Sequence, residues 1–138
     1  MSGVFFDSNV LVYTLAADDP RAAVAATLLA QGGTVSVQVL NEFANVAYRK
    51  MKLSWAEVSA ALASLRILCA PPLPLTVATH EAALAIATRY QFSFYDALIV
   101  ASALEADCTM LFSEDMQDGL IVDGLLTVRN PFDERRAH

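Results

Sequence analysis

Three features of the sequence predict an α/β fold, a parallel sheet flanked by helices. Short apolar runs of strand composition alternate with segments of helical periodicity along the chain. The first run, Val4-Phe5-Phe6, breaks at Asp7-Ser8-Asn9 and turns at once into helical spacing through Val10, Leu11, Tyr13 and Thr14. No internal repeat or low-complexity segment interrupts the alternation.

Taken in order, Asp18-Asp19-Pro20 caps a second helix from Arg21 to about Ala30, with proline in its first turn and Gly32-Gly33 ending it. Thr34 to Val37 is a β-branched strand, and Val39, Leu40, Phe43, Ala44 and Ala47 mark the helix that follows. Ser54 and Glu57 have the spacing of a capping box, with Leu53 placed to staple onto Val58. The helix they start puts Val58, Ala61, Leu62 and Leu65 on one face. Pro71 to Leu75 is an extended connection with room for a short edge strand. Helices are expected from Val77 to Tyr90 and from Tyr95 to Ala106, then a strand from Thr109 to Phe112. Leu120–Val122 and Leu126–Val128 supply a final strand or hairpin.

Composition limits the function classes. The 138 residues make about one domain, large enough to bury roughly two-thirds of the unfolded surface. Hydrophobic content of 56% and a mean hydropathy of +0.44 are high, yet no apolar stretch is long enough to span a bilayer and no basic, then apolar, leader is expected at the N-terminus. The surplus apolar surface is expected against another protein. Cys69 and Cys108 have no metal-ligand spacing and read as buried thiols of a cytosolic protein. Net charge is −6 with a pI near 4.7, so nucleic acid could not be held by bulk charge. Local cations or metal ions would have to do it.

Four acids fall at one rim of such a sheet. Asp7 ends the first strand, and Asp115 follows the strand Thr109–Phe112 through Ser113 and Glu114. Helices run back antiparallel to their strands, so helix N-termini share that rim, where α/β proteins bind ligands. Glu42 lies early in the third helix and Asp96 in the first turn of the helix near Tyr95. Each has a plain structural explanation. Asp7 could cap its helix, Asp96 could complete a capping box with Ser93, Glu42 could belong to a polar stripe with Asn45 and Arg49, and Asp115 could be a loop acid beside Glu114 and Asp118. Jointly these explanations do worse. Clustered carboxylates raise one another's pKa values unless a cation lies among them. All-oxygen ligation suits Mg²⁺ or Mn²⁺, and the absence of His or Cys from these segments argues against zinc.

The chemistry that needs such a site is metal-assisted phosphodiester hydrolysis. Asp7 and Asp96 would be the chief ligands, with Glu42 and Asp115 completing the shell. Asn9 and Ser113 could orient a carboxylate or water, or could simply cap and turn. With the four acids set aside the net charge is −2. Arg49, Lys50 and Lys52 are then the nearest cations for phosphate, though they also suit a helix C-terminus. His80 and Trp55 belong to no motif.

Asp7-Ser8-Asn9-Val10-Leu11-Val12-Tyr13, Val39-Leu40-Asn41-Glu42-Phe43, Ser93-Phe94-Tyr95-Asp96-Ala97-Leu98-Ile99 and Ser113-Glu114-Asp115-Met116, in this order and spacing, resemble the PIN domain family. Within that family they are most similar to the toxin ribonucleases of VapBC-type (type II) toxin–antitoxin pairs. The resemblance runs from end to end and implies a single PIN domain over 1–138, with a parallel sheet between helices on both sides. It further implies Mg²⁺ or Mn²⁺ dependence, RNA cleavage, a homodimer and a small antitoxin partner. The last motif often reads Thr-x-Asp; Ser113 keeps the hydroxyl, while Glu114 leaves open which carboxylate would face a metal. A non-catalytic binding module and a small-molecule phosphatase are the alternatives. The phosphatase usually carries a second Asp where this chain has Asn9.

Overall fold

The computed structural model describes residues 3–133. Its elements are β1 (Gly3–Phe6), α1 (Ser8–Tyr13), α2 (Arg21–Ala30), α3 (Val37–Arg49), α4 (Trp55–Leu68), α5 (Val77–Tyr90), α6 (Phe94–Glu105), β2 (Cys108–Phe112), β3 (Ile121–Val122) and β4 (Leu126–Arg129). The strands form one sheet in the order β1-β2-β4-β3, parallel except for the β3–β4 pair. Helices flank this sheet, so the α/β class read from the alternation holds. The final hairpin is there too, making the sheet mixed rather than wholly parallel.

Two expected strands are shorter than anticipated. The Thr34–Val37 segment pairs through single bridges, Phe5 with Thr34 and Ser36 with Leu73. The reason is local: Ser36 caps α3 by accepting a hydrogen bond from the Val39 N–H, so Val37 already belongs to the helix. The Pro71–Leu75 connection supplies only Leu73, whose N–H donates to the Val35 carbonyl while its carbonyl accepts from Val37. Prolines on either side leave it little else to donate. Pro20 takes the cap position of α2, and the Asp19 carboxylate accepts from the Arg21 N–H in its place.

The helix boundaries otherwise follow their caps. The capping box is complete: the Ser54 hydroxyl accepts from the Glu57 N–H, and the Glu57 carboxylate from the Ser54 N–H. In α6 every residue from Ala97 to Ala103 is buried, as its near-continuous apolar sequence requires. It packs on α5 and β2 at the centre of the fold.

Packing fixes the end of β1 with particular force. Phe6 pairs in register with Phe112 of β2, and their rings stack with centroids 6.2 Å apart. A Cβ on Gly33 would stand only 2.4 Å from the Phe6 ring, so a side chain here would have to displace the ring. Since Phe6 and Phe112 are opposite one another, the next residues, Asp7 and Ser113, leave the sheet side by side. Among the described residues no helix is long and apolar enough to cross a membrane.

Candidate active site at the strand ends

Asp7 sits where β1 stops, and it is 2% exposed. Its N–H still belongs to the sheet, donating to the Phe112 carbonyl at 3.0 Å. One carboxylate oxygen accepts from the Ser8 N–H at 2.7 Å, so the residue does cap α1. The other accepts from the Ser113 hydroxyl at 2.7 Å and from the Asn9 amide at 3.3 Å. Capping and site membership are thus compatible, because the cap uses only one oxygen.

Asn9 ties the two strand ends together. Its amide also donates to Asp115 Oδ2 at 3.2 Å, and its oxygen accepts from the Glu114 N–H at 3.2 Å. Ser113 in turn accepts from the Asp115 N–H at 3.2 Å. Glu42, in the second turn of α3, accepts from the Ser8 hydroxyl at 2.9 Å and from the Gln38 amide at 3.1 Å. Asp96 is half-buried in the first turn of α6, whose N-cap hydroxyl, on Ser93, accepts from the Asp96 N–H. Of these donors, Asn9 and Ser113 are expected from the sequence, whereas Ser8 and Gln38 are found only in the structure. Ser8 adjoins Asp7, and Gln38 lies one helical turn before Glu42, a spacing that could have flagged it.

The electrostatics join the four acids. Burial pushes the Asp7 carboxyl from 3.8 up to about 7; the Ser113 and Ser8 hydrogen bonds oppose the rise, and the charges of Glu42 and Asp96 add to it. Burial likewise raises Asp96, partly countered by Ser93 and reinforced by Asp115. Asp7 therefore feels Glu42 and Asp96, and Asp96 feels Asp115. No cationic side chain is among the causes of either shift.

Glu114 points elsewhere. It accepts hydrogen bonds from the Tyr13 hydroxyl and, at 3.2 Å, from Arg21, which also pairs with Asp19 at 2.8 Å. Asp19, Arg21 and Glu114 border a concavity of about 940 Å³ whose lining includes none of the four acids. A smaller groove of about 310 Å³ runs past Glu42 between Gln38, Asn41, Asn45 and Tyr95.

In kind, the donors suit a hard cation: they are all oxygen, and burial and like charge leave Asp7 under-compensated. In position they are not a finished shell. Among the described residues no three His, Cys, Asp or Glu side chains are arranged so that they would hold a metal ion. Neutral donors from Ser8, Asn9, Gln38 and Ser113 now occupy carboxylate oxygens of Asp7, Glu42 and Asp115.

The PIN domain model matches residues 4–117, a span that includes all four acids. Curated protein sequences give no significant match. Among solved structures, VapC20 of Mycobacterium tuberculosis, a sarcin-ricin loop cleaving toxin, superposes with a TM-score of 0.67 at 21% identity. That match covers 82% of this chain and 90% of VapC20. A toxin–antitoxin complex from Klebsiella pneumoniae contains a chain with a TM-score of 0.70 at 18% identity, covering 94% of this chain and 98% of that one. At these identities the two structures speak to the fold.

Proposed function

The chain belongs to the PIN domain family, and from that premise we propose that it is a metal-dependent endoribonuclease, the toxin of a type II toxin–antitoxin pair. The observation that carries the proposal is Asp7, a carboxyl buried at a strand end, near two other acids and hydrogen-bonded only by neutral donors. An isolated helix cap would not be held at such a cost. The toxin described for VapC20 and the partnered state of the Klebsiella chain support the same reading.

In this proposal Asp7 and Asp96 are the chief ligands of Mg²⁺ or Mn²⁺, and Glu42 and Asp115 complete the shell. A divalent ion bound there would supply charge for the phosphodiester and lower the pKa of an attacking water. The chain's own contribution is orientation. Ser113 and Asn9 fix one oxygen of Asp7, the Ser8 N–H fixes the other, and Ser8 with Gln38 holds Glu42. Asn9 also couples Asp7 to Asp115.

A cognate antitoxin and a homodimer are the proposed partners, and the cytoplasm the proposed setting. Purified Asp7→Asn and Asp96→Asn proteins should lose Mg²⁺- or Mn²⁺-dependent RNA cleavage with unchanged circular dichroism. Cleavage by either at the wild-type rate would overturn the site assignment.

A further inference from the structure

We infer that the end of α3 and the first turn of α4 form a second RNA contact, a stacking platform flanked by cations that holds single-stranded RNA beside the acidic site. The RNA ligand rests on the ribonuclease reading above; the place rests on side-chain geometry. Tyr48 and Trp55 stack face to face, with ring centroids 3.8 Å apart and planes 6° from parallel. Such pairs normally contribute to a core. Here Tyr48 is 42% and Trp55 59% exposed, so the stack lies on the surface.

The surroundings select the ligand. Tyr48, Arg49 and Lys52 line one groove of about 660 Å³ together with Leu53, Ser54 and Glu57. The chain has nine Lys and Arg, and three of them fall within residues 49–52. Arg21 and Arg89 are ion-paired, whereas Arg49, Lys50 and Lys52 have no ion pair among the described residues. Glu57, the only acid lining the groove, is tied to the Ser54 N–H by the capping box. Lys52 has a φ of 60°, a left-handed conformation uncommon for a residue with a side chain. Exposed rings with unpaired cations around them suit a base stacked on the aromatic and phosphates on the cations.

Tyr48 of the platform and Glu42 share one helix, α3. Glu42 and Arg49 are both on α3, two turns and roughly 10 Å apart along the helix. Asn45 stands between them and lines the groove that passes Glu42. A strand with its scissile phosphate at the acids would run over Asn45 to reach Tyr48 and Trp55. In a protein of net charge −6, such a local contact is what would offset the general repulsion of RNA.

Trp55 is the only tryptophan, so its fluorescence reports on this site alone. The full chain carrying Asp7→Asn is titrated, in EDTA, with a labelled single-stranded oligoribonucleotide of about twelve nucleotides. Tryptophan quenching should track the anisotropy change. Trp55→Ala should weaken binding roughly tenfold, and Trp55→Phe should restore most of it. Arg49→Ala with Lys52→Ala should lower the slope of log affinity against log salt by about 1 to 1.5. Binding without quenching, equal affinity for Trp55→Ala, or no RNA binding at all would overturn the platform. So would unchanged RNA affinity in Trp55→Ala with loss of a co-purifying protein partner, which would make this a protein-docking face. The two readings fail separately. Cleavage by the wild type without dependence on Trp55 removes the platform alone, while Trp55-dependent binding without cleavage removes only the nuclease.

Discussion

The Ser113 hydroxyl donates to Asp7 Oδ2 across 106 residues of sequence, at 2.7 Å and fully buried. It lies one residue beyond the Phe6–Phe112 register pair on both strands, so the sheet itself delivers the two side chains to each other. Ser113→Ala should leave the fold intact, raise the Asp7 pKa further and weaken divalent-ion binding by about 10- to 100-fold. Ser113→Thr should restore binding. Metal titration followed by cleavage rate checks both, and full activity in Ser113→Ala would show that Asp7 needs no such partner.

Asp7 makes stability depend on pH in an unusual direction. Its folded pKa, about 7, lies above the ordinary 3.8. Between those values the native state holds a proton that the unfolded chain has released, so stability is greatest below about pH 4 for this group and is lost as pH rises towards 7. The loss is of order a few kcal/mol. Urea melts of the metal-free protein at pH 5.5 and pH 8 should show it, and Asp7→Asn should remove this component. A wild type more stable at pH 8, with the same profile in Asp7→Asn, would contradict the assignment.

Glu114 and Asp115 should behave differently although they are neighbours. Glu114 is engaged by Tyr13 and Arg21, and Asp115 by Asn9. Glu114→Gln should cost at most about 1 kcal/mol of stability, as for an exposed ion pair, and leave cleavage within a few-fold of wild type. Asp115→Asn should reduce cleavage by an order of magnitude or more. Kinetics of the two purified variants decide it, and the reverse ranking would place Glu114 at the reacting centre.

Gly33 tests how strictly the strand end is packed. With a Cβ only 2.4 Å from the Phe6 ring, Gly33→Ala should destabilise by about 1–3 kcal/mol through overpacking. It should also lower activity, because Phe6 immediately precedes Asp7. Chemical denaturation measures the first effect and the cleavage rate the second; a neutral outcome in both would mean that the ring has room to move.

Much of this was legible because it is local. The Ser54–Glu57 box, the buried run Ala97–Ala103 and the stop at Asp7 depend on residues within a few positions of one another. The rim shared by the four acids followed from strand and helix direction alone. What stayed hidden depends on distant partners. Which of Glu114 and Asp115 faces the site is decided by Tyr13 and Arg21, about a hundred residues earlier. The Thr34–Val37 strand is shorter than its composition suggests because Ser36 serves the helix cap before the sheet. Trp55 looked idle because its partner, Tyr48, lies across the turn between two helices.

If the four acids share one cation site, Mn²⁺ should raise the melting temperature. At a hundredfold excess over Kd, a bound ion should stabilise the wild type by roughly 2.7 kcal/mol, a rise in Tm on the order of 10 °C. Asp96→Asn, which leaves the Ser93 cap of α6 in place, should melt near the metal-free wild type and lose most of the Mn²⁺ response. Equal Mn²⁺ shifts in the two proteins, or none in either, would mean that the four acids do not share a cation site.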